Sequence, residues 1–135
     1  MGTIRSYRDL VAWQKGMDLV EMIYELTSKY PDRERYGLTS QSRRSAVSVP
    51  ANIAEGYARR SRKDYIRFLD IARGSANELE TELLVAQRLG LLSRSSFRQA
   101  LESLGELQRV LGGLIASVSR SVNSPVRDCS KGPAE

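Results

Sequence analysis

Seven cationic side chains, Arg43, Arg44, Arg59, Arg60, Arg62, Lys63 and Arg67, fall in one stretch of the chain. The chemistry such a set performs is recognition of anions. A guanidinium is a planar fork that donates paired hydrogen bonds to phosphate and keeps its charge. Residues 43–73 carry 8 basic and 3 acidic side chains. Residues 1–42 carry 6 of each, 74–119 carry 4 basic and 5 acidic, and 120–135 carry 3 basic and 2 acidic. The net charge is +5, so the middle segment accounts for it. A concentrated surplus attracts polyanions, whereas a diffuse one serves solubility. Binding of that kind releases counterions and weakens steeply with salt. Arg43 and Arg44 lie roughly 24 Å from Arg59 along a straight helix. One subunit therefore presents two groups of cations, and an assembly of several copies would join them. Tyr57 and Tyr65 flank the basic turn, but both sit on apolar stripes, which points to core packing. What is left to read is backbone and shape, not base sequence. The plain alternative is a solvated helix end in which Arg59 pairs with Glu55, four residues before it.

A second set, Asn52, Glu55 and Arg73, puts an amide and a carboxylate on one helix face, with a guanidinium reaching across from the next helix. With no nucleophile, metal set or phosphate loop beside it, the set completes no catalytic constellation. It reads as a polar network fixing helix register or a subunit contact. Glu78, Glu80 and Glu82 raise the question of a metal, since Glu78 and Glu82 share a face. Helical di-metal sites pair such carboxylates with histidine, and the chain has none. A solvated or ion-pairing face is expected there, with no metal and no cofactor. The lack of histidine also excludes Ser-His-Asp and Cys-His sites built from these residues alone. The single cysteine, Cys129, excludes an internal disulfide. The expectation is a protein that is not an enzyme.

These residues are carried by periodic segments. The 135 residues fit one domain, with 41% hydrophobic and 27% charged side chains. No apolar run reaches membrane-spanning length and the first residues lack a signal-peptide core, so a cytoplasmic location is expected. A first helix is expected from about Tyr7 to Lys29, with Ser6 as its cap, Leu10, Trp13, Met17, Val20, Tyr24 and Thr27 as its stripe, widened by Leu19, Ile23 and Leu26, and Pro31 ending it. A second is expected from about Ser40 to Ala58, with Thr39 as cap. Its faces are Ala46, Val49, Ile53 and Tyr57; Val47, Ala51, Ala54 and Ala58; and Ser45, Ser48, Asn52, Glu55 and Arg59. These faces favour one helix kinked at Pro50 over two helices with a break, although the residue before a proline leans toward extended geometry. A third helix is expected from Arg62 to Leu89, capped by Ser61. Its seam of Tyr65, Leu69, Ala72, Ala76, Leu79, Leu83, Ala86 and Gly90 alternates steps of four and three. A fourth is expected from about Ser96 to Arg120, capped by Ser93 or Ser95, with Phe97, Leu101, Leu104, Leu111, Ile115 and Val118 as its main stripe and Leu107, Val110 and Leu114 to one side of it. Residues 1–120 form the domain, and residues 121–135 read as a disordered tail. Short connections make successive helices antiparallel. The fold class is all-α, an up-down-up-down four-helix bundle.

Four stretches resemble a known family: Asp9 to Trp13, Tyr36 to Gln41, Val47 to Gly56 and Ile71 to Glu80. They are similar to the signature segments of the four-helix bundle proteins, also called 23S rRNA intervening-sequence proteins. The resemblance covers roughly residues 5–92, and Val47 to Gly56 is its most specific part. It implies a bundle assembling as a ring-like homopentamer, and kinship with accessory proteins of diversity-generating retroelements, which are basic bundles that bind nucleic acid and a reverse transcriptase. The reading that results is a non-catalytic homo-oligomer binding RNA or DNA nonspecifically through its arginines. The alternative is a protein-binding scaffold or adaptor with no direct nucleic-acid contact. The expected partners are further copies of the chain, RNA or DNA, or a protein, and no membrane.

Overall fold

The computed structural model describes residues 3–122, and among these the chain is all-helical, with four long helices and no strand. They are α1 (Val11–Thr27), α2 (Ser40–Tyr57), α3 (Arg62–Arg88) and α4 (Arg94–Val122). The expected disorder of the tail, including Cys129, concerns residues that lie, from 123 onward, outside those described.

Local chemistry sets the helix ends, in two places differently from expectation. Ser6 is a cap, but of a separate 3-10 turn, Tyr7–Asp9. Its hydroxyl accepts from the Arg8 N–H at 3.1 Å, while the Asp9 carboxylate accepts from the Ser6 N–H at 3.2 Å. Leu10 is extended, so α1 starts only at Val11. Thr39 is helical and makes no side-chain cap. The reason is that the chain kinks earlier, at Gly37 (φ -110, ψ -114), so Thr39 is already in the turn that leads into α2, and the Ser40 N–H bonds back to the Gly37 carbonyl. The Glu34 carboxylate supports that turn by accepting from the Leu38 N–H at 3.1 Å.

The remaining ends follow the sequence. The Ser61 hydroxyl accepts from the Asp64 N–H at 3.1 Å and starts α3. Ser93 starts α4, its hydroxyl accepting from the Ser96 N–H at 3.2 Å. Gly90 stops α3 with φ 75, a left-handed conformation that costs glycine little. The Gly90 and Leu91 N–H groups close the end by bonding to the Gln87 and Ala86 carbonyls, at 3.1 and 3.0 Å.

Each helix packs against two others around one core: α1 on α2 and α4, and α3 on α2 and α4. Side-chain partners show that the neighbours are antiparallel. Thr27 meets Arg43, and Gly16 meets Pro50. Ser45 meets Glu82, Ser48 meets Ser75, and Gly56 meets Tyr65. Gln108 bonds Asn77 at 2.9 Å, and Lys15 pairs with Glu106 at 3.1 Å. The seam of α3 from Tyr65 to Ala86 is buried throughout and forms the middle of the core. In α2, Ala46, Val49 and Ile53 face it, and the helix is continuous through a buried Pro50.

In α1 the buried face is Ala12, Gly16, Leu19, Ile23 and Thr27, which leaves Met17 and Tyr24 exposed. The Leu19 and Ile23 side of the expected stripe is thus the buried one, and the face turns from Met17 and Tyr24 toward Gly16, which lets Pro50 come close. A Cβ at Gly16 would lie 3.3 Å from the Pro50 Cβ. The same shift occurs in α4, where Ala100, Leu104, Leu107, Leu111 and Val118 are buried while Phe97 and Leu101 are only half-buried.

Candidate nucleic-acid interface

Each of the seven candidate cations has a definite position. Arg59, Arg60, Arg62, Lys63 and Arg67 gather around the connection from α2 to α3. Arg43 and Arg44 stand at the other end of α2, as the helical rise requires. Within the connection, Arg59 pairs with Glu55, and its guanidinium also lies 4.6 Å from the centre of the Phe68 ring. Arg67 makes the second approach to that ring, also at 4.6 Å, and a long pair with Asp64 at 3.7 Å. Arg60 and Lys63 are exposed and have no ion pair among the described residues.

Arg62 does not face solvent. It is 4% exposed, and its Nε and Nη2 are enclosed with no hydrogen-bond partner among the described residues. The cause is its register. Arg62 stands three residues before Tyr65, so it continues the alternating spacing of the buried seam backwards by one step. Its charge therefore lies inside the molecule, and it is corrected from an outward phosphate contact to a buried cation.

At the far end of α2, Arg43 is half-buried and held on α1. Its Nε donates to the Thr27 hydroxyl at 2.9 Å and its Nη2 to the Tyr24 carbonyl at 3.3 Å. The guanidinium lies 4.4 Å from the centre of the Tyr24 ring. Arg44 is exposed, with no ion pair among the described residues. Tyr65 is buried completely and meets the half-buried Tyr57 edge to face at 6.2 Å, so both are core rings as their stripes imply. Tyr24 and Tyr36 are the exposed tyrosines, at 43% and 86%. The signal for Tyr24 was weak, because it fits an apolar stripe that turns out to be rotated away from the core.

Asn52, Glu55 and Arg73 take separate partners instead of one another. The Asn52 amide donates to the Ser48 carbonyl and hydroxyl at 2.8 and 2.9 Å. Glu55 goes to Arg59, and Arg73 to Asp70 at 3.0 Å. A polar seam does join α2 to α3, but serines build it. The Ser48 and Ser75 hydroxyls lie 2.8 Å apart, and the Ser45 hydroxyl donates to Glu82 at 3.2 Å. Burial pushes the Glu82 carboxyl up; the Ser45 hydrogen bond opposes this, Glu78 adds to it and Arg44 opposes it. Among the described residues no three His, Cys, Asp or Glu side chains are grouped as metal ligands.

Helix order and packing define the class first: an all-α protein of four helices around a common core. The profile of one family, 23S rRNA-intervening sequence protein, matches residues 8–113. The chain belongs to that family. A solved structure from Bacteroides thetaiotaomicron, a protein with unknown function from the S23 ribosomal protein family, is 27% identical to it. The two superpose with a TM-score of 0.73, covering 78% of this chain and 96% of that one. Comparison with curated proteins finds no match. No helix among the described residues is long and apolar enough to cross a membrane.

Proposed function

We propose that this protein is a non-catalytic, homo-oligomeric four-helix bundle that binds RNA or DNA without sequence specificity through its arginine-rich surface. The carrying observation is the +5 surplus of residues 43–73, with Arg60 and Lys63 exposed and without an ion pair among the described residues, and Arg44 exposed beside the Glu82 carboxyl. Exposed cations on rigid helices suit a phosphate backbone, which positions a polymer without reading its bases. The family's description, which ties it to an intervening sequence of 23S rRNA, supports RNA as the polymer.

The proposed assembly is a ring-like homopentamer in the cytoplasm. A bend of α2 at Pro50 turns its two ends toward different neighbours, so that Arg44 of one copy and the Arg60 and Lys63 pair of the next form a belt. Mass measurement in solution, with titration of RNA and DNA at two salt concentrations, tests this. The expected result is a pentamer whose binding weakens steeply with salt; a monomer, or binding indifferent to salt, contradicts it.

One observation favours a protein-binding scaffold as the second reading. Arg43, Arg59 and Arg67 are engaged with neighbours, and Arg62 is buried. Pulldown with and without nuclease separates the two. A partner lost on treatment supports the first reading, and a protein retained in stoichiometric amount supports the second.

A further inference from the structure

At the Arg43 end of α2, an open hollow of about 570 Å³ is lined by Tyr24, Arg35, Arg43, Arg44, Val47 and Ser48, among others. That volume is within the range of small-ligand sites. Tyr24 and Val47 give it exposed apolar surface, each at 43%. Arg43 gives it a flat cation already held in place by two hydrogen bonds and the Tyr24 ring. Arg35 gives it an exposed cation with no ion pair among the described residues, and Arg44 a second exposed cation, on the side toward Glu82. An aromatic or guanidinium plane stacks a base, and a mobile guanidinium takes the phosphate beside it.

We propose that this hollow binds one nucleotide of an unpaired nucleic-acid strand, with the base against Tyr24 and Arg43 and the phosphate on Arg35 and Arg44. The inference rests on the nucleic-acid reading above and gives it a place and a preference. A duplex keeps its bases stacked on one another and has none to offer, so single strands bind more tightly here. The connection at Arg60 and Lys63 contributes charge alone. A free nucleotide carries the same base and phosphate, so the test includes one.

The test measures binding of labelled single-stranded oligouridine and of duplex RNA of equal length, with uridine monophosphate as competitor. Tyr24→Ala is expected to weaken single-strand binding by about tenfold, the loss of one stacked base, and to leave duplex binding unchanged. Tyr24→Phe, which keeps the ring, is expected to bind as the wild type does. Arg35→Ala with Arg44→Ala is expected to lower the salt slope of single-strand binding by about two contacts. Competition by uridine monophosphate supports the site with free nucleotides among its ligands, and no competition supports it for strands only.

Single-strand binding unchanged in Tyr24→Ala but lost in Arg60→Ala with Lys63→Ala overturns the hollow and leaves the general reading standing. A wild-type protein that binds no nucleic acid overturns both. A smaller particle mass for Tyr24→Ala, marking this face as a subunit contact, also overturns the proposal. Because Tyr24 is exposed, its replacement leaves the core in place.

Discussion

The Tyr30 hydroxyl is enclosed without a hydrogen-bond partner among the described residues, and burial pushes it up to about 12. An unmade bond of this kind costs stability, so Tyr30→Phe is expected to be neutral or to stabilise by up to about 1 kcal/mol, read from the urea midpoint. Glu82 presents the opposite case, a carboxyl strained only when charged. Its acidity is weakened first by burial, with Glu78 adding to the effect and Ser45 and Arg44 opposing it. An acid with a raised folded pKa holds its proton more tightly in the folded state. Stability is therefore fullest below the ordinary carboxylate range, and it falls as pH rises through the raised value. Glu82→Gln should flatten the part of the stability profile that lies just above the ordinary carboxylate range. A variant with the wild-type slope would show that Glu82 is not its source. Arg62 was legible in principle: it lies one step back along the seam spacing of α3. Its charge led to it being grouped with its exposed neighbours, whereas register decides burial and charge decides only the cost.

At the scale of the elements, small residues govern how the helices meet. A Cβ at Gly56 would lie 2.9 Å from the Phe68 Cβ and 3.1 Å from the Tyr65 carbonyl oxygen. Gly56→Ala is therefore expected to push α2 from α3 and cost about 2 kcal/mol, as overpacking does, seen as a lowered urea midpoint. An unchanged midpoint would mean that the connection yields freely. The same physics explains which elements were legible. The start of α3 and the stop at Gly90 follow from Ser61 and from glycine's access to positive φ. The seam of α3 was legible because its apolar residues recur in unbroken steps of four and three from Tyr65 to Ala86. In α1 and α4 the large buried residues, Leu19, Ile23, Leu104, Leu107, Leu111 and Val118, are legible from periodicity, whereas Ala12, Gly16 and Ala100, which complete those faces, carry too little apolar surface to mark them. Thr39 has a cap's composition but not its place, because the kink falls at Gly37 and Glu34, four residues before Leu38, supplies the side-chain acceptor for that turn.

On the whole-molecule scale, the sequence shows where charge is concentrated but not which charges remain available. The pairing of Arg59 with Glu55 and of Arg67 with Asp64, the anchoring of Arg43 on Thr27 and Tyr24, and the burial of Arg62 narrow seven candidate cations toward Arg44, Arg60 and Lys63. The Arg59 pair was legible from its helical spacing. The exposed Tyr24 beside Arg43 was not, since it depends on which face α1 turns to α2. The most direct measurement is the dependence of RNA affinity on salt for the wild type and for Arg44→Ala, Arg60→Ala and Lys63→Ala combined. Each phosphate contact contributes about 0.9 to the slope on duplex and about 0.7 on single strands. The account predicts a triple variant that folds normally, binds weakly, and has a slope lower by roughly two to three. A triple variant with wild-type affinity and slope would contradict it.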